Sequence, residues 1–390
     1  MLTLDSNRND TSLTLDMTRA AAAQMVCVGH AINIVGHHQT AAPDLGVLLF
    51  FVLSGFVIAH TLHTKSSDPQ YGLPAFALER FARIYCAYGP ALLLILCIDA
   101  AMGLVIDWHG FAANLVMLQG VPGLPYSTFG TAGQITTIAV EFHIYLFVGA
   151  LYFLVLGRQE VLCTIVAPIF SVMAMGYFLA IPETSRSLFV LWLVGFGAYY
   201  VLANAQRSLA AYLPLVSVGI AYATLNERVD WNNPYDLVNY PLLGICFCSL
   251  VAVSQATRWL ARSIAAMRLI RFFSRYSLSL FLIHMTIIQH INAAWPEGPE
   301  FSRIALLVIV ANIAAIGFAA ATEWHYRAAA VWLRNALSGT YATRCSGCGL
   351  ISPNLAFVTI GDERSAALCD QCVASLRSFR FLPNGRAGDW

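Results

Sequence analysis

The sequence predicts an all-α, polytopic membrane protein, and three observations support this prediction. Of the 390 residues, 58% are hydrophobic and only 11% are charged, whereas a soluble domain has about 25% charged residues. The mean hydropathy is +0.66. The apolar residues also gather into runs of about 20, the length of a helix that crosses a bilayer. This composition excludes a large water-exposed globule, and the abundant apolar surface excludes a disordered chain.

Ten apolar segments predict about ten transmembrane helices. In chain order they are 19–37, 45–62, 84–106, 135–156, 161–181, 186–204, 208–225, 237–256, 272–293 and 302–322. Arg19 opens the first segment, Arg80 and Arg83 precede the third, and Glu323 closes the tenth. The loop 107–134 is rich in glycine and proline, so we expect it to be irregular and to fold over a cavity mouth.

The distribution of charge predicts the orientation. With ten spans, both ends of the chain lie on the same side of the membrane. All of the 22 lysine and arginine residues fall on that side except Arg186, Arg228 and Arg303. Because positive residues accumulate on the cytoplasmic side, we expect a multi-pass protein of the cytoplasmic (inner) membrane with both termini in the cytoplasm. The net charge of +1 indicates no general attraction to nucleic acid.

The composition divides the chain into three parts. Residues 1–18 form a polar, cytoplasmic N-terminal segment that does not resemble a cleavable signal peptide. Residues 19–334 form the transmembrane domain. Residues 335–390 form a small cytoplasmic appendage, in which Gly, Ser, Arg and Cys replace the apolar runs and which is too short to build much of a core by itself.

The appendage has four cysteines in the pattern Cys-x2-Cys-x20-Cys-x2-Cys. They are Cys345, Cys348, Cys369 and Cys372. Two such pairs are typical of a tetrahedral Zn²⁺ site, and a cytoplasmic location argues against disulfides. We expect structural zinc, which would also allow so short a segment to fold; a redox or iron–sulfur role is the alternative. Docking of a partner protein, sensing and capping of the helical bundle stay open as roles for this tail.

Among the ionisable residues inside the apolar segments, four matter most: His30, Asp99, Glu141 and His284. Each costs about 2.5–3.5 kcal/mol at the bilayer centre on insertion scales, so each is a candidate for function, although a single buried histidine is as often a packing residue. An imidazole and a carboxylate can share a proton and act as a general base near neutral pH. Glu141 and Asp99 are therefore candidates to orient the His30 imidazole.

Arg19, Arg80 and Arg83 lie where the chain enters the membrane from the cytoplasm. A guanidinium group pairs well with phosphate oxygens, so these arginines suit a phosphorylated ligand, although helix-end arginines also serve as topology anchors. Group transfer from a phosphate-bearing donor fits these parts, and a proton-coupled transporter would use similar ones. Internal repeats or helices broken in matching halves would favour the transporter, and neither is evident.

Six short motifs follow one another along the chain. They are TRAAAAQMVCVGHAINIVG, which contains Arg19 and His30, FFVLSGFVI at 50–58, RFARIY at 80–85, AVEFHIYLF at 139–147, RYSLSLFLIH at 275–284 and ATEWHYR at 321–327. This order, over about residues 15–335, resembles the acyltransferase-3 family of integral membrane acyltransferases. Members of that family O-acylate sugars of surface polysaccharides, peptidoglycan, lipopolysaccharide or small glycosides.

The resemblance implies a role for each matching residue. His30 matches the histidine that is regarded as catalytic, in an Arg-x10-His motif with Arg19, and Glu141 joins them as the third residue of the expected catalytic group. The implied donor is an acyl-CoA, most simply acetyl-CoA. The residues implied to bind this donor are Arg80, Arg83, Ser54, Gly55 and His284. The implied acceptor is a hydroxyl group of a cell-envelope or exported glycan or glycolipid. His30 would act as a general base on that hydroxyl or carry the acyl group briefly.

Four positions depart from the family pattern. Thr136 stands where the family usually has tryptophan, Phe142 where a second acidic residue is frequent, Cys86 where proline is usual, and Phe281 where tyrosine is usual. These departures bear on the acceptor side more than on the donor side. They keep open a second reading, a scaffold that has lost catalysis and signals through its cysteine tail.

Overall fold

Helices form the membrane part of the protein, as the apolar runs predict. A computed structural model describes residues 10–36, 39–69, 71–180, 188–204, 213–225, 233–257, 263–338, 343–344, 351–352, 355–360 and 364–369. The chain divides into two units, Met1–Arg327 and Ala328–Trp390.

Thirteen α-helices occur among the described residues. They are α1 (Asp10–Val35), α2 (Ala42–Lys65), α3 (Leu73–Ala101), α4 (Trp108–Leu115), α5 (Thr136–Val155), α6 (Glu160–Ala180), α7 (Leu188–Asn204), α8 (Leu213–Leu225), α9 (Tyr240–Thr257), α10 (Ile264–Arg275), α11 (Ser277–Ala294), α12 (Glu300–Ala321) and α13 (Tyr326–Ser338). Short 3-10 turns at Gly133–Ile135, Leu237–Asn239 and Glu323–His325 lead into α5, α9 and α13.

Several helices are suited to a bilayer. Six described stretches are long and apolar enough to cross one: Ala42–Lys65, Leu73–Ala101, Gly133–Val155, Leu237–Gln255, Ser277–Ala294 and Glu300–Arg334. Two shorter apolar helices cover Glu160–Gly176 and Leu188–Ala203. The multi-pass character is therefore confirmed, and the number of ten spans stays a prediction.

The first helix extends beyond the predicted apolar segment. α1 begins at Asp10, well before residue 19, where the continuous apolar run starts. The hydroxyl groups of Thr14 and Thr18 donate to backbone carbonyl oxygens one turn earlier, at 2.8 and 2.9 Å, so these polar side chains are satisfied within the helix. Leu13 is 1% exposed and anchors the added turns. A prediction from hydropathy alone begins this helix too late in the sequence, because it counts the threonines as polar.

α2 and α7 pack backbone against backbone. A Cβ atom on Gly55 would lie 2.0 Å from the carbonyl oxygen of Trp192, and a Cβ atom on Gly195 would lie 1.9 Å from that of Val52. Only hydrogen fits at these two positions, and small residues are what allow membrane helices to approach so closely. This contact places Trp192 of α7 directly beside α2.

A polar network ties α1 to α12. Gln24 Nε2 donates to Asn312 Oδ1 at 2.7 Å, and the Tyr276 hydroxyl donates to the same oxygen at 2.8 Å. Side-chain hydrogen bonds between membrane helices are each worth roughly 0.6–2 kcal/mol. Since α1 contains both Arg19 and His30, this network helps to fix two of the predicted site residues.

The second unit contains two short antiparallel strand pairs among its described residues. β1 (Thr343–Arg344) pairs with β2 (Ile351–Ser352), and β3 (Leu355–Ile360) pairs with β4 (Arg364–Cys369). Leu355 lies opposite Cys369 in the second pair. Cys345, Cys348 and Cys372 lie outside the described residues, so zinc binding by the tail stays a prediction.

Candidate functional site

A cavity of about 320 Å³ lies among α1, α2, α3, α5 and the first turns of α11. Its wall on α2 extends from Val47 to Thr61, about 21 Å along a helix that rises 1.5 Å per residue. Arg19, Arg80 and Arg83 all line it. The structure therefore brings together the three arginines that the sequence singled out, on a long and otherwise largely apolar cleft.

Arg83 is already occupied by protein groups. Its Nη2 atom lies 3.2 Å from Oε1 of Glu323, a carboxylate whose side chain is only 2% exposed. The other oxygen of Glu323 accepts hydrogen bonds from the backbone N–H and the hydroxyl of Ser279, at 3.0 and 2.8 Å. The Arg83 guanidinium also lies 4.5 Å from the ring centroid of Tyr326. Arg83 thus neutralises a buried charge and joins α3 to α11 and the turn before α13.

Arg80 is held much less tightly. Its ion pair with Glu79 is long, at 4.0 Å, and its side chain is 18% exposed. Among the described residues its buried Nε atom has no hydrogen-bond partner. A buried N–H that lacks an acceptor is costly, so this donor is available to a ligand in the cavity. Arg19 is intermediate, with an ion pair of 3.4 Å to Asp16.

A directional chain of hydrogen bonds ends at Glu141. Trp192 Nε1 donates to Ser54 Oγ at 3.1 Å, the hydroxyl oxygens of Ser54 and Tyr145 are 2.8 Å apart, and Tyr145 donates to Glu141 Oε1 at 2.5 Å. Tyr145 gives its single hydroxyl hydrogen to Glu141, so Ser54 must donate to Tyr145, and an indole N–H can only donate; every proton in the chain therefore points toward Glu141. Ser54, Tyr145 and Glu141 all line the cavity, so this chain holds a carboxylate in a fixed position on its wall.

The two predicted histidines meet. The rings of His30 and His284 are stacked, with centroids 5.4 Å apart and an interplanar angle of 27°. Nδ1 of His284 is 2.9 Å from each of two backbone carbonyl oxygens, those of Leu280 and Phe281. Carbonyl oxygens only accept, so Nδ1 carries a proton. Nε2 of His284 is buried and has no partner among the described residues, which leaves an unused ring nitrogen beside His30.

An aromatic side chain connects the cavity to the histidine pair. Phe281 lines the cavity, and its ring lies 6.1 Å from that of His284. Phe50 lines it too and meets Phe281 edge-on, with ring centroids 5.5 Å apart. Neither histidine is among the residues that line the described cavity, so Phe281 forms the contact between that cavity and the histidine pair.

The two carboxylates are placed differently from the expectation that one of them orients His30. Glu141 hydrogen bonds to Tyr145, as described above. Asp99, 1% exposed, accepts a hydrogen bond of 2.8 Å from Nε2 of His290 and one of 3.0 Å from the backbone N–H of Thr131. Asp99 lies near the C-terminal end of α3, whereas Arg80 lies near the start of that helix. Asp99 therefore meets the C-terminal part of α11, where His290 lies, and not the histidine pair.

Two of the predicted donor residues, Gly55 and His284, are absent from the residues that line the described cavity. Gly55 packs against the backbone of α7, so its contribution is to place Trp192 beside Ser54. Sequence reasoning missed Trp192 because no motif contains it. His290, which its position near the end of a span suggests is solvated, instead contacts the buried Asp99; its place on the same span as His284 is the signal that could have identified it.

No group of three metal-ligating side chains occurs among the residues that the structure describes. Three of the four predicted zinc ligands, Cys345, Cys348 and Cys372, are outside those residues, and Cys369 is the last residue of β4. The polar groups that the cavity and the histidine pair supply are arginines, a carboxylate, hydroxyl groups and imidazoles.

Comparison with known proteins identifies the membrane unit. The family described as "Acyltransferase domain" (Acyl_transf_3) matches residues 13–324, which is most of the chain. A protein of Rhizobium radiobacter named "Protein 2 in picA locus" is 39% identical over 83 residues, which cover 21% of this chain and 43% of that protein. The matched stretch thus spans less than half of that relative. No solved structure matches the chain.

Proposed function

Because this chain belongs to the acyltransferase-3 family, we propose that it is a membrane acyltransferase that moves an acyl group from acyl-CoA to a hydroxyl group of a cell-envelope or exported glycan or glycolipid. The observation that carries the proposal is the juxtaposition of the arginine-lined cavity with the stacked pair of His30 and His284. A phosphate-bearing donor and a group capable of proton transfer are what such a reaction requires.

The donor would bind along the cavity. Its phosphates would pair with Arg80 and Arg19, which keep unused hydrogen-bonding capacity, while Arg83 stays paired with Glu323. The pantetheine arm would then follow the wall of α2 toward Phe50 and Phe281, and its thioester would reach the histidine pair beyond Phe281. Acetyl-CoA is the simplest donor for this arrangement.

His30 would carry out the chemistry. As a general base it would take the proton of the acceptor hydroxyl while that oxygen bonds to the acyl carbon, and the C–S bond would break to release the CoA thiolate. Alternatively His30 would attack the thioester itself and then pass the acyl group to the hydroxyl oxygen. His284, with its proton fixed on Nδ1, supports both routes by holding the His30 ring in a stacked position.

The proposal includes a topology of ten spans with both termini in the cytoplasm. It rests on the basic residues that collect on one side of the predicted spans. Arg80 and Arg83 lie in the early turns of α3, so acyl-CoA would enter from the cytoplasm and the glycan would approach from the opposite face. A cysteine introduced at residue 107 or 297 should then react with an impermeant maleimide added outside cells, and one at residue 66 should not.

We also propose that Cys345, Cys348, Cys369 and Cys372 bind one structural Zn²⁺ ion. Support comes from their spacing, which is typical of two zinc knuckles. Metal analysis of the purified full-length protein should find about one zinc per chain, and C345S/C348S should lose it. Zinc retained in that variant would contradict the proposed ligands.

The test of the main proposal uses membranes that contain the wild type, His30→Ala or His109→Ala, supplied with acetyl-labelled acetyl-CoA. His109 is an exposed histidine of α4 and serves as the matched control. Alkali-labile label should enter an envelope-glycan fraction with the wild type and His109→Ala but not with His30→Ala. Activity retained by His30→Ala would disprove its role. If no sample incorporates label and none binds CoA, the scaffold or the transporter becomes the better account.

A further inference from the structure

α10 is a short helix between two membrane helices. It has 12 residues, or about 18 Å at 1.5 Å per residue, too short for a hydrocarbon core of about 30 Å. Ser263 caps its start by accepting a hydrogen bond of 3.2 Å from the Ala266 N–H. Because α10 follows the span of α9 and precedes that of α11, it lies at a membrane surface.

The three arginines of α10 form one stripe. Arg268, Arg271 and Arg275 are spaced i, i+3 and i+7, and residues at that spacing share one face of an α-helix. Arg268 and Arg275 are exposed. Because α10 contains no acidic residue, no carboxylate on this helix offsets the positive charge of the stripe.

An apolar edge runs beside this basic stripe. Leu269 is 59% exposed and Phe272 is 43% exposed, while Phe273 packs toward the hydrophobic core and Ser274 is buried. A helix with a protein-facing side, an exposed apolar edge and a basic edge has the pattern of an interfacial helix, whose apolar residues enter the headgroup boundary.

A tryptophan indicates the level of the interface. Trp324 is 37% exposed, its Nε1 donates to the carbonyl oxygen of Arg275 at 3.2 Å, and the Arg275 guanidinium lies 4.6 Å from its ring centroid. Tryptophan is enriched where a membrane meets water. The C-terminal turn of α10 is thus anchored at headgroup depth, with its arginines beside the phosphate layer.

The same turn touches the candidate site. The Ser274 hydroxyl donates to Asp16 Oδ1 at 2.8 Å, and that oxygen is the ion-pair partner of Arg19, at 3.4 Å. Arg19 lines the cavity. The position of α10 is therefore linked through two contacts to one of the cations that would hold the donor.

We propose that α10 is a binding surface for anionic phospholipid headgroups of the adjoining leaflet, and that this binding steadies Arg19 through Ser274 and Asp16. The phosphates complement the stripe of Arg268, Arg271 and Arg275, because the negative surface potential of an anionic leaflet attracts basic residues near its surface. The effect on Arg19 rests on the function proposed above, whereas lipid binding by α10 does not.

The first experiment measures lipid binding directly. Full-length protein in detergent with equal phosphatidylcholine and phosphatidylglycerol is examined by native mass spectrometry, as wild type, R268Q/R275Q, R268K/R275K and R303Q. We expect the wild type, R303Q and the lysine variant to retain phosphatidylglycerol, and R268Q/R275Q to lose it several-fold. Equal retention by all four would overturn the proposal. So would displacement of the lipid by millimolar inorganic phosphate, which would indicate a site for free anions instead.

The second experiment measures the link to Arg19. Acetyl-CoA affinity is compared in nanodiscs of phosphatidylcholine alone and of phosphatidylcholine with phosphatidylglycerol. The wild type should bind acetyl-CoA a few-fold more tightly in the anionic discs, and Ser274→Ala should lose that difference while it still retains phosphatidylglycerol. An undiminished difference in Ser274→Ala would disprove the link. No acetyl-CoA binding by the wild type in either disc would count against the proposed function and leave the lipid measurement as it stands.

Discussion

The guanidinium of Arg83 lies 3.2 Å from the buried carboxylate of Glu323, which is distant in the sequence and lies in the turn before α13. Arg80, one helical turn earlier on α3, has only a long contact with Glu79 and a buried Nε atom that no described residue satisfies. Two arginines that look equivalent in the motif RFARIY therefore have different surroundings. Arg83 is placed to stabilise the fold, and Arg80 is placed to bind an anion.

This difference predicts opposite phenotypes. Arg80→Gln should weaken CoA binding at least tenfold, with little change in the unfolding temperature, because it removes a cavity cation with few protein contacts. Arg83→Gln should lower the unfolding temperature in detergent, because loss of one partner of a buried ion pair costs about 3–5 kcal/mol. CoA titration and thermal unfolding of both variants measure the two effects.

The control is the double variant R83Q/E323Q. Removing both charges avoids an unpaired buried carboxylate, so it should recover part of the stability that Arg83→Gln loses. A double variant that is no more stable than Arg83→Gln would contradict the structural role of this pair.

The hydrogen-bond chain to Glu141 should matter for the reaction. Tyr145→Phe removes the donor to Glu141 and the partner of Ser54 while it keeps the ring. A hydrogen bond to a charged group is worth about 1.5–3 kcal/mol, so we expect acyl transfer to fall by about 10- to 100-fold, since 1.36 kcal/mol corresponds to a factor of ten.

Tyr152→Phe is the matched control for this change. Tyr152 lies on the same helix, and its hydroxyl donates to Ser66 Oγ at 3.1 Å, away from the residues that line the cavity. The rate with Tyr152→Phe should stay within a few-fold of the wild type. Equal losses in the two tyrosine variants would indicate general damage to α5 in place of a role for Glu141.

The contact between α2 and α7 predicts a contrast between two glycines of one helix. Gly195→Ala would force a methyl group against the carbonyl oxygen of Val52, and overpacking costs about 1–3 kcal/mol. Gly197 has open space where its Cβ would be, so Gly197→Ala should leave stability unchanged or raise it by up to about 1 kcal/mol through helix propensity. Thermal unfolding of both variants gives the comparison, and equal unfolding temperatures would refute the close approach.

Asp99 should stabilise the loop 107–134, because it accepts a hydrogen bond from the backbone N–H of Thr131 in that loop. Asp99→Ala leaves the Thr131 N–H and Nε2 of His290 without their acceptor, and an unsatisfied buried donor costs about 1–3 kcal/mol. We expect a lower unfolding temperature and faster proteolysis within residues 107–134. Asp107→Ala removes an exposed carboxylate at the first residue of the same loop and should change neither. Protection of the loop in Asp99→Ala would disprove this anchoring role.

Local sequence patterns correctly predicted the membrane class and the helices. Hydropathy is a property of consecutive residues, so runs of apolar side chains were enough to locate the long helices, whereas the polar start of α1, the first turns of α3 and the short helices α4, α10 and α13 were missed. The cavity arginines and the two histidines were also singled out, because the histidines stand inside apolar segments and the arginines stand where the chain enters such segments. The zinc tail and the number of spans stay predictions.

The sequence by itself determined which chemistry-bearing residues the membrane unit contains, because ionisable groups in apolar segments are conspicuous. Only the tertiary structure decided which of them meet. The pairing of Arg83 with Glu323, the stacking of His30 on His284, the reach of Trp192 to Ser54 and the pairing of Asp99 with His290 all join residues of different helices. Such contacts depend on how far each helix extends and how closely neighbouring backbones pack, and glycines such as Gly195 set that distance without leaving a pattern that hydropathy can detect.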